Sequence, residues 1–412
     1  MRAFAALSIR NYRWYFAGAL IANTATWMQR VAQDWLILEL TDGSAVGIGI
    51  ATALQFLPFL IFSPLSGAIA DRVPRRTVIA IAGGIAVVSA SSMAIVTALG
   101  VASVGLVYAN ALLIGIAFAL DTPARQAFAG DLVGTDGLAN AVALNAMASN
   151  VARIGGPALA GLLIAGLGLT GSFSLNALLF IIALAALIGL HMSEFVGGGR
   201  AKDRQATVRQ GLEHIASRPV VVFVILTVLV FATFGLNFQI TMAIMARETF
   251  HVSAAGFGLM GTCLAVGSFA GSFLSARRRQ PTVRLVAVTA CVFAVVEIAV
   301  GLVPAYIPFL ITIPLCGLLA LTVLPAAQSL AQLGVDPAYR GRVMGIYSLV
   351  MFGGAPFFTP IIGFASDHLG PRFGLVGGGV LTAAGMAVIL LAMRRRLEWS
   401  RLPAHPRQPT GR

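Results

Sequence analysis

Long apolar runs recur along the whole chain, and short segments rich in arginine, glycine or proline separate them. Each run is close to the roughly 20 residues that an α-helix needs to cross the hydrocarbon core of a bilayer. The sequence therefore predicts an all-α integral membrane protein with twelve transmembrane helices. The predicted spans are residues 14–39, 45–69, 77–98, 102–121, 138–165, 171–190, 219–245, 255–276, 284–303, 307–330, 343–366 and 373–393.

Composition excludes a soluble protein. Of the 412 residues, 58% are hydrophobic and 10% are charged, whereas soluble domains contain about 25% charged residues. The net charge of +13 could suggest nucleic-acid binding, but the basic residues form short clusters between apolar runs. No basic stripe alternates with exposed aromatic residues, as a nucleic-acid-binding surface would require. We therefore expect the lipid bilayer, and no nucleic acid, as the protein's environment.

The distribution of basic residues predicts the orientation in the membrane. With a cytoplasmic N-terminus, 24 of the 28 basic residues fall in cytoplasmic segments, and only Arg247 and Arg372 fall in external loops. Cytoplasmic loops of membrane proteins carry such an excess of arginine and lysine. We expect a multi-pass protein of the plasma membrane with both termini in the cytoplasm.

The longest polar stretch divides the chain into two halves. It contains three consecutive glycines, Gly197–Gly199, and a weakly amphipathic segment, Gln205–Arg218, that we expect to lie along the membrane surface. Short motifs of the first half reappear faintly in the second, as in transporters built from internal repeats. The predicted domains are an N-terminal six-helix bundle (1–190), a cytoplasmic linker (191–218), a C-terminal six-helix bundle (219–393) and a cytoplasmic tail (394–412).

One charged loop carries the most specific motif. Between the second and third spans the sequence reads Gly67-Ala68-Ile69-Ala70-Asp71-Arg72-Val73-Pro74-Arg75-Arg76. This GxxxDRxxRR pattern resembles the signature of the major facilitator superfamily. The resemblance implies two pseudo-symmetric six-helix bundles, clamped together at their cytoplasmic ends by this loop. Asp121, Arg125 and Gln126 would be its partners, and the alternative for these three is a solvated turn.

Other segments resemble the drug-exporter branch of that superfamily, which includes macrolide-efflux and enterobactin-export proteins. One of them, Gly156-Pro157-Ala158-Leu159-Ala160-Gly161, is similar to the GPxxGG pattern in span five of proton-driven antiporters. Ala160 replaces the first of the two final glycines, so the match is partial. The resemblance implies a hinge at Gly156, Pro157 and Gly161; the alternative is small-residue packing beside a proline kink.

The first span carries charges inside the membrane. Asn23, Trp27, Arg30 and Asp34 are four, three and four residues apart, so they share one helix face. Charges at the bilayer centre are costly and normally face protein or a water-filled cavity. The spacing also permits an Arg30–Asp34 ion pair. We expect Arg30, Asp34 and a second buried cation, Arg153, to couple protons to transport; the alternative is a pair that only packs the helix.

Polar and aromatic residues on further spans predict a cavity for bulky, lipophilic substrates, because the resemblance places these helices around the centre. Glu297 in the ninth span is expected to pack or to lie at the lipid edge. The predicted cavity residues are Asn23, Trp27, Gln29, Asn110, Phe118, Phe234, Asn237, Gln239 and Gln328.

Enzymatic and metal-dependent classes have no support in the sequence. The only lysine, Lys202, follows alanine, so no phosphate-binding GxxxxGK[ST] loop is encoded. The three cysteines are isolated inside apolar runs, and the histidines are dispersed. We expect no enzymatic activity, no metal site and no cofactor.

The sequence thus predicts a secondary active transporter that exports small lipophilic or amphiphilic compounds of drug, macrolide or siderophore type. It would act as a monomer, exchanging its small-molecule substrate for protons by alternating access. Two alternatives remain. One is a proton-coupled uptake symporter for a small nutrient, which would need a polar, hydrogen-bonding cavity. The other is a membrane sensor or enzyme that does not transport.

Overall fold

The computed structural model describes residues 5–62, 73–190, 208–276, 281–336 and 339–394. These residues are overwhelmingly helical, and no strand occurs among them. Within these described ranges, ten helices are long and apolar enough to cross a membrane. The helices corresponding to the predicted spans are α1 (Arg10–Leu40), α2 (Ala45–Phe62), α3 (Arg75–Ala98), α4 (104–133), α5 (135–167), α6 (169–188), α7 (Pro219–Thr249), α8 (Ala254–Ala276), α9 (Val283–Gly301), α10 (Tyr306–Leu333), α11 (340–369) and α12 (Phe373–Met393).

Two features reconcile the ten apolar helices with the twelve predicted spans. Helix α1 is long enough at 31 residues, but its polar and charged residues lower its hydropathy. The apolar stretch Val151–Ile188 contains two spans, because Gly168 breaks it with a left-handed φ of 70°. Gly134, with φ of 68°, separates α4 from α5 in the same way. Glycine adopts this conformation without the steric cost that a Cβ imposes.

Helix α4 continues beyond the predicted end of the fourth span at residue 121, through Asp121 and Arg125 to Gly134, so the turn predicted at Asp121–Arg125 is wrong. The two charged side chains are one turn apart and form an ion pair of 2.5 Å. Charged residues paired at this spacing are compatible with a continuous helix. Asp121 and Arg125 therefore lie on a helix, and not on the turn that the sequence suggested.

Two of the spans are irregular. In α7, the helices Pro219–Val230 and Phe238–Ile244 are each followed by a π-helical turn. Such turns widen a helix locally and are frequent at functional sites. Helix α11 consists of Arg340–Gly353 and Ala355–Leu369, with an interruption at Gly354. A short helix, Val208–Ala216, lies within the segment predicted to be amphipathic.

The chain divides into two compact units. Unit 1 comprises Met1–Lys202, Gln239–Ala265 and Ala355–Gly374, and unit 2 comprises Asp203–Phe238, Val266–Gly354 and Leu375–Arg412. Unit 1 therefore contains all of α1–α6, parts of α7, α8 and α11, and the first two residues of α12. The two six-helix bundles at 1–190 and 219–393, with their linker and tail, stay a prediction.

Each unit has its own buried core. In unit 1, alanines from α1, α3, α4 and α6 form a cluster that includes Ala25, Ala90, Ala117 and Ala177. Small side chains let helix backbones approach closely in a membrane, where lipid supplies no hydrophobic drive for helix association. In unit 2, Phe231 and Phe293 are both fully buried, with ring centroids 4.4 Å apart.

Candidate functional site

A network of buried side-chain amides lies inside unit 1, with Asn110 of α4 at its centre. The Asn110 Oδ1 atom accepts hydrogen bonds from Gln33 Nε2 at 2.5 Å, Ser89 Oγ at 2.9 Å and Gln29 Nε2 at 3.4 Å. Its Nδ2 atom donates to the carbonyl oxygen of Ser89 at 2.9 Å. Asn110 is 4% exposed, and Gln29, Gln33 and Ser89 are fully buried. The network thus joins α1, α3 and α4 by polar contacts within the apolar interior.

Two more amides extend the network to neighbouring helices. Gln55 of α2 donates to Gln33 Oε1 at 3.1 Å, and Asn176 of α6 donates to Gln29 Oε1 at 2.5 Å. Buried polar groups in a membrane must find partners inside the protein, because lipid offers none. Five helices of unit 1 are therefore linked through α1.

Asp34, the residue that follows Gln33 of the network on α1, is fully buried. Its Oδ2 atom accepts a hydrogen bond of 2.5 Å from Gln239 Nε2, on the part of α7 that belongs to unit 1. Its Oδ1 atom has no hydrogen-bond partner among the described residues. The spacing permits an ion pair between Asp34 and Arg30, but their charged groups are not within 4.0 Å of each other. An amide, and not a cation, contacts this carboxylate.

Arg30 instead points into a group of aromatic rings. Its guanidinium carbon lies 5.1 Å from the ring centroid of Trp27, 5.0 Å from that of Phe56 and 5.3 Å from that of Phe118. Arg30 is only 7% exposed. A guanidinium over an aromatic face is attracted by the ring quadrupole. We call Trp27, Phe56 and Phe118 the aromatic cage of Arg30.

Arg153 of α5 contacts the same cage from another helix. Its guanidinium carbon lies 5.3 Å from the ring centroid of Trp27. The prediction that Arg153 is buried is wrong, because its side chain is exposed at the surface of the chain. Trp27 thus has one buried and one accessible guanidinium near its ring.

The Gly156-Pro157-Ala158-Leu159-Ala160-Gly161 segment is a point of close helix packing in unit 1. A Cβ on Gly156 would lie 2.5 Å from the Cβ of Trp27, and a Cβ on Gly161 would lie 2.9 Å from the Cα of Gly258 in α8. Pro157 in turn packs against Gly261, where an added Cβ would lie 2.9 Å from its side chain. These glycines let α5 approach α1 on one side and α8 on the other. Whether the segment also acts as a hinge stays a prediction.

The predicted clamp is only partly described. Gly67, Asp71 and Arg72 lie outside the described residues, and so does the side chain of Gln126. Arg75 forms a 2.6 Å ion pair with Asp131 of α4, and Arg76 donates to the carbonyl oxygen of Ile188 at 2.5 Å.

Asp121 and Arg125 pair with each other on α4. The hydroxyl of Tyr15 donates to the carbonyl oxygen of Arg125 at 3.2 Å. These contacts bind α1, α3, α4 and α6 together at one end of unit 1.

A second set of contacts lies at the opposite end of unit 1, between α2 and α11. The carboxylate of Asp367 accepts hydrogen bonds from the backbone amides of Ala45 at 2.7 Å and Val46 at 3.1 Å, and from the hydroxyl of Ser44 at 3.0 Å. A carboxylate at a helix N-terminus satisfies free amides and complements the helix dipole. Further along, Thr359 Oγ1 donates to the carbonyl oxygen of Gly49 at 3.0 Å. We call this contact the α2–α11 seam.

The remaining predicted cavity residues lie outside the network. Asn23 is half-buried on α1, and Gln328 is exposed on α10. In unit 2, Asn237 is 9% exposed and donates to the carbonyl oxygens of Thr233 and Phe234 in α7.

Sequence reasoning missed Gln55, Ser89, Asn176, Phe56 and Asp131. An amide inside an apolar run was the available signal for Gln55 and Asn176. No sequence pattern pairs Phe56 with Arg30 or Asp131 with Arg75.

Comparison with protein families identifies the chain. Residues 1–409 match the family model described as transmembrane secretion effector, a branch of the major facilitator superfamily. The chain belongs to this family. It is therefore an integral, multi-pass membrane transporter and not an enzyme, and the expected superfamily is confirmed.

Three bacterial relatives have transport functions in their names. The chain is 24% identical to the multidrug efflux pump Tap of Mycolicibacterium fortuitum, over 93% of this chain and 96% of that one. It is 22% identical to macrolide efflux protein A of Streptococcus pyogenes, over 85% and 89%. It is 25% identical to the staphyloferrin A transporter of Staphylococcus aureus, over 62% of this chain and only 64% of that protein.

Comparison with solved structures supports the fold. A bacterial homolog of the human lysosomal transporter Spinster, in an inward-facing and occupied conformation, superposes with a TM-score of 0.75 at 16% identity. The match covers 96% of this chain and all of that one. The major facilitator fold predicted from the sequence is thus confirmed, while an identity this low carries no information on substrate.

Proposed function

We propose that this transporter exports small lipophilic or amphiphilic compounds across the plasma membrane in exchange for protons. The observation that carries the proposal is Asp34, a fully buried carboxylate that contacts Gln239 and has no ion-pair partner among the described residues. An ionised carboxylate is costly inside a membrane. Binding a proton removes that cost, so Asp34 is chemically suited to alternate between neutral and charged forms. The relatives named as efflux pumps support the outward direction of transport.

Position supports a coupling role for Asp34. It directly follows Gln33 of the amide network and lies one helical turn from Arg30, whose aromatic cage would form part of the substrate site. Its partner Gln239 belongs to α7, whose regular hydrogen bonding is interrupted by two π-helical turns. A change in the charge of Asp34 would alter its hydrogen bond to Gln239. Proton binding and movement of α7 would thereby be linked.

Alternating access requires that contacts at each end of the molecule form and break in turn. With both termini in the cytoplasm, the α2–α11 seam and the α5–α8 contact would lie towards the outside, and opening outward would separate them. The Arg75–Asp131 pair and the Asp71 loop would lie at the cytoplasmic end. In this proposal the clamp residues act as a gate and the chain works as a monomer.

The energetics are sufficient for export. One proton that returns down a potential of 100 mV supplies about 2.3 kcal/mol. At about 1.4 kcal/mol per tenfold, this supports a roughly fifty-fold concentration gradient of a neutral substrate.

The amide network favours a second candidate, the proton-coupled uptake of a polar nutrient, which would need hydrogen-bonding groups in the cavity. However, Gln29, Gln33 and Asn110 are buried and bond to one another. Amides that already hydrogen-bond to one another have few free donors or acceptors for a ligand. We therefore propose that the network stabilises the packing of α1 and does not bind substrate.

Transport into membrane vesicles separates the two candidates. Inverted vesicles energised by respiration have an acidic lumen, and an exporter would accumulate the neutral fluorophore dansylamide inside them. A protonophore would release the accumulated dye. Accumulation by energised right-side-out vesicles, and none by inverted vesicles, would refute export and favour uptake.

A further inference from the structure

The most unusual group in the molecule is the buried guanidinium of Arg30. It contacts the rings of its aromatic cage, and no carboxylate of the described residues lies within 4.0 Å of it. Asp34, the acidic residue one turn away, bonds to Gln239 instead. Attraction to aromatic faces is weaker than the hydration that a buried cation loses. No carboxylate of the described residues pairs directly with this guanidinium.

Arg153 adds a second positive charge to the same place. Both guanidinium carbons lie within 5.3 Å of the Trp27 ring centroid, so like charges converge on one indole. Like charges in a poorly solvated site repel, and an anion placed between them relieves both. Arg30 is buried while Arg153 is exposed, which leaves an approach to the pair from one side.

The surrounding groups match one kind of anion. Guanidinium groups bind carboxylates through two parallel hydrogen bonds and also stack on planar rings. Trp27, Phe56 and Phe118 supply flat apolar walls next to the charge. A molecule that joins a carboxylate to an aromatic body would satisfy both features at once. A lipophilic cation would meet two arginines and be repelled.

We propose that Arg30, Arg153 and the aromatic cage form a binding site for organic anions in which a carboxylate is attached to an aromatic or lipophilic body. The site selects such anions over neutral and cationic molecules of the same shape. This inference rests on the proposed function for its place in transport, since it specifies the charge of the exported compound. Binding itself requires neither a proton gradient nor a direction of transport.

Equilibrium binding to the purified, full-length protein in lipid nanodiscs tests the proposal with three matched probes. Dansylglycine carries a carboxylate, dansylamide is neutral and dansylcadaverine carries an amine that is protonated at pH 7. We expect dansylglycine to bind at least tenfold more tightly than either of the others. The preference is expected to fall as salt concentration rises, because salt screens charge–charge attraction.

Variants assign the preference to the two arginines. Arg30→Gln and Arg153→Gln are each expected to reduce the preference for the anion to less than threefold. Arg30→Lys is expected to retain part of it, because lysine keeps the charge and loses the paired hydrogen bonds. Arg284→Gln is the control for loss of one positive charge, since Arg284 is exposed at the start of α9 in unit 2. If Arg30→Gln does not yield a monodisperse protein, the Arg153→Gln variant tests the proposal, because Arg153 is exposed.

The outcomes are decisive in both directions. Equal binding of the three probes, tighter binding of the cation, binding of none of them, or an anion preference that survives in Arg153→Gln would overturn the proposal. A wild-type protein that prefers dansylglycine but does not accumulate it in energised inverted vesicles would retain the anion site and refute proton-driven export. Export of dansylamide alone would support the proposed function and refute the anion site.

Discussion

Among the described residues, each unit buries one carboxylate in a transmembrane helix, and the two carboxylates have different surroundings. Asp34 in unit 1 accepts a hydrogen bond from Gln239 and lies beside a buried amide network. Glu297 in unit 2 is 1% exposed, its Oε2 atom has no partner among the described residues, and it lies near Gly378 of α12. We infer from this difference that burial alone does not make an acid a coupling group. The acid must also contact another helix, so that a change in its protonation state alters that contact.

The same contrast holds for neutral polar groups. In unit 1, side chains bond across helices, as Gln55 does to Gln33 and Asn176 to Gln29. In unit 2, Thr322 returns its hydroxyl to the carbonyl of Leu318 in its own helix. The bond between helices that Tyr347 of unit 2 makes ends on the backbone, at the carbonyl oxygen of Leu324, and not on a second side chain. Bonds within a helix stabilise a residue locally, whereas bonds between helices transmit a displacement. We infer that unit 1 carries most of the coupling chemistry.

The largest expected effect is on uphill transport. Asp34→Asn is expected to reduce accumulation of substrate in energised inverted vesicles to background, because the amide cannot take up and release a proton. Glu297→Gln is expected to keep at least half of the wild-type accumulation. The experiment compares both variants at equal amounts of folded protein. Loss of accumulation in Glu297→Gln, with Asp34→Asn active, would reverse the comparison.

Removal of the network's central residue is expected to cost stability. Asn110→Leu leaves the Nε2 donor of Gln33 and the hydroxyl of Ser89 without their buried acceptor, and each such group costs about 1–3 kcal/mol. Thr322→Val in unit 2 removes one bond within a helix and is expected to cost about 1 kcal/mol or less. Thermal unfolding of both variants in detergent measures the difference. A larger loss for Thr322→Val would show that the network does not stabilise unit 1.

Adjacent glycines of α5 provide a smaller and sharper test. A Cβ on Gly156 would lie 2.5 Å from Trp27, whereas one on Gly155 would meet nothing within 4 Å. Gly156→Ala is therefore expected to destabilise by about 1–3 kcal/mol, as overpacking usually does, and to weaken substrate binding by displacing Trp27. Gly155→Ala serves as the control and is expected to change neither property. Identical melting temperatures for the two variants would exclude a tight α1–α5 contact.

The smallest expected effect concerns two exposed acids. Asp367→Ala removes a cap of α2 that contributes about 1 kcal/mol. We expect a cysteine in place of Val46 to react several-fold faster with a membrane-impermeant maleimide in this variant. Asp336 in unit 2 lies 3.3 Å from Arg218, and Asp336→Ala is expected to leave that reactivity unchanged. The three native cysteines are first replaced by alanine. Unchanged labelling in Asp367→Ala would show that its cap does not hold the α2–α11 seam.

Much of the fold could be predicted from the sequence, because a bilayer imposes span length and hydropathy on every crossing segment. The error at α4 arose where Asp121 and Arg125 satisfy each other on one helix, so that charges expected to mark a loop do not interrupt it. Spacing permitted an Arg30–Asp34 pair, but the choice between Arg30 and Gln239 depends on how α7 packs. Local sequence contains no information on that contact. For the same reason Gln55, Asn176 and Phe56 stayed hidden until helix packing brought them to α1.

The most direct test of the central claim measures proton release on substrate binding. Purified protein in weakly buffered solution, with a pH-sensitive dye, receives a saturating amount of a substrate found to be exported. A substrate with no titratable group near the working pH avoids a contribution from its own protons. The account predicts release of about one proton per wild-type or Glu297→Gln molecule, and none from a well-folded Asp34→Asn variant. Undiminished release from Asp34→Asn would contradict the assignment of Asp34 as the coupling carboxylate.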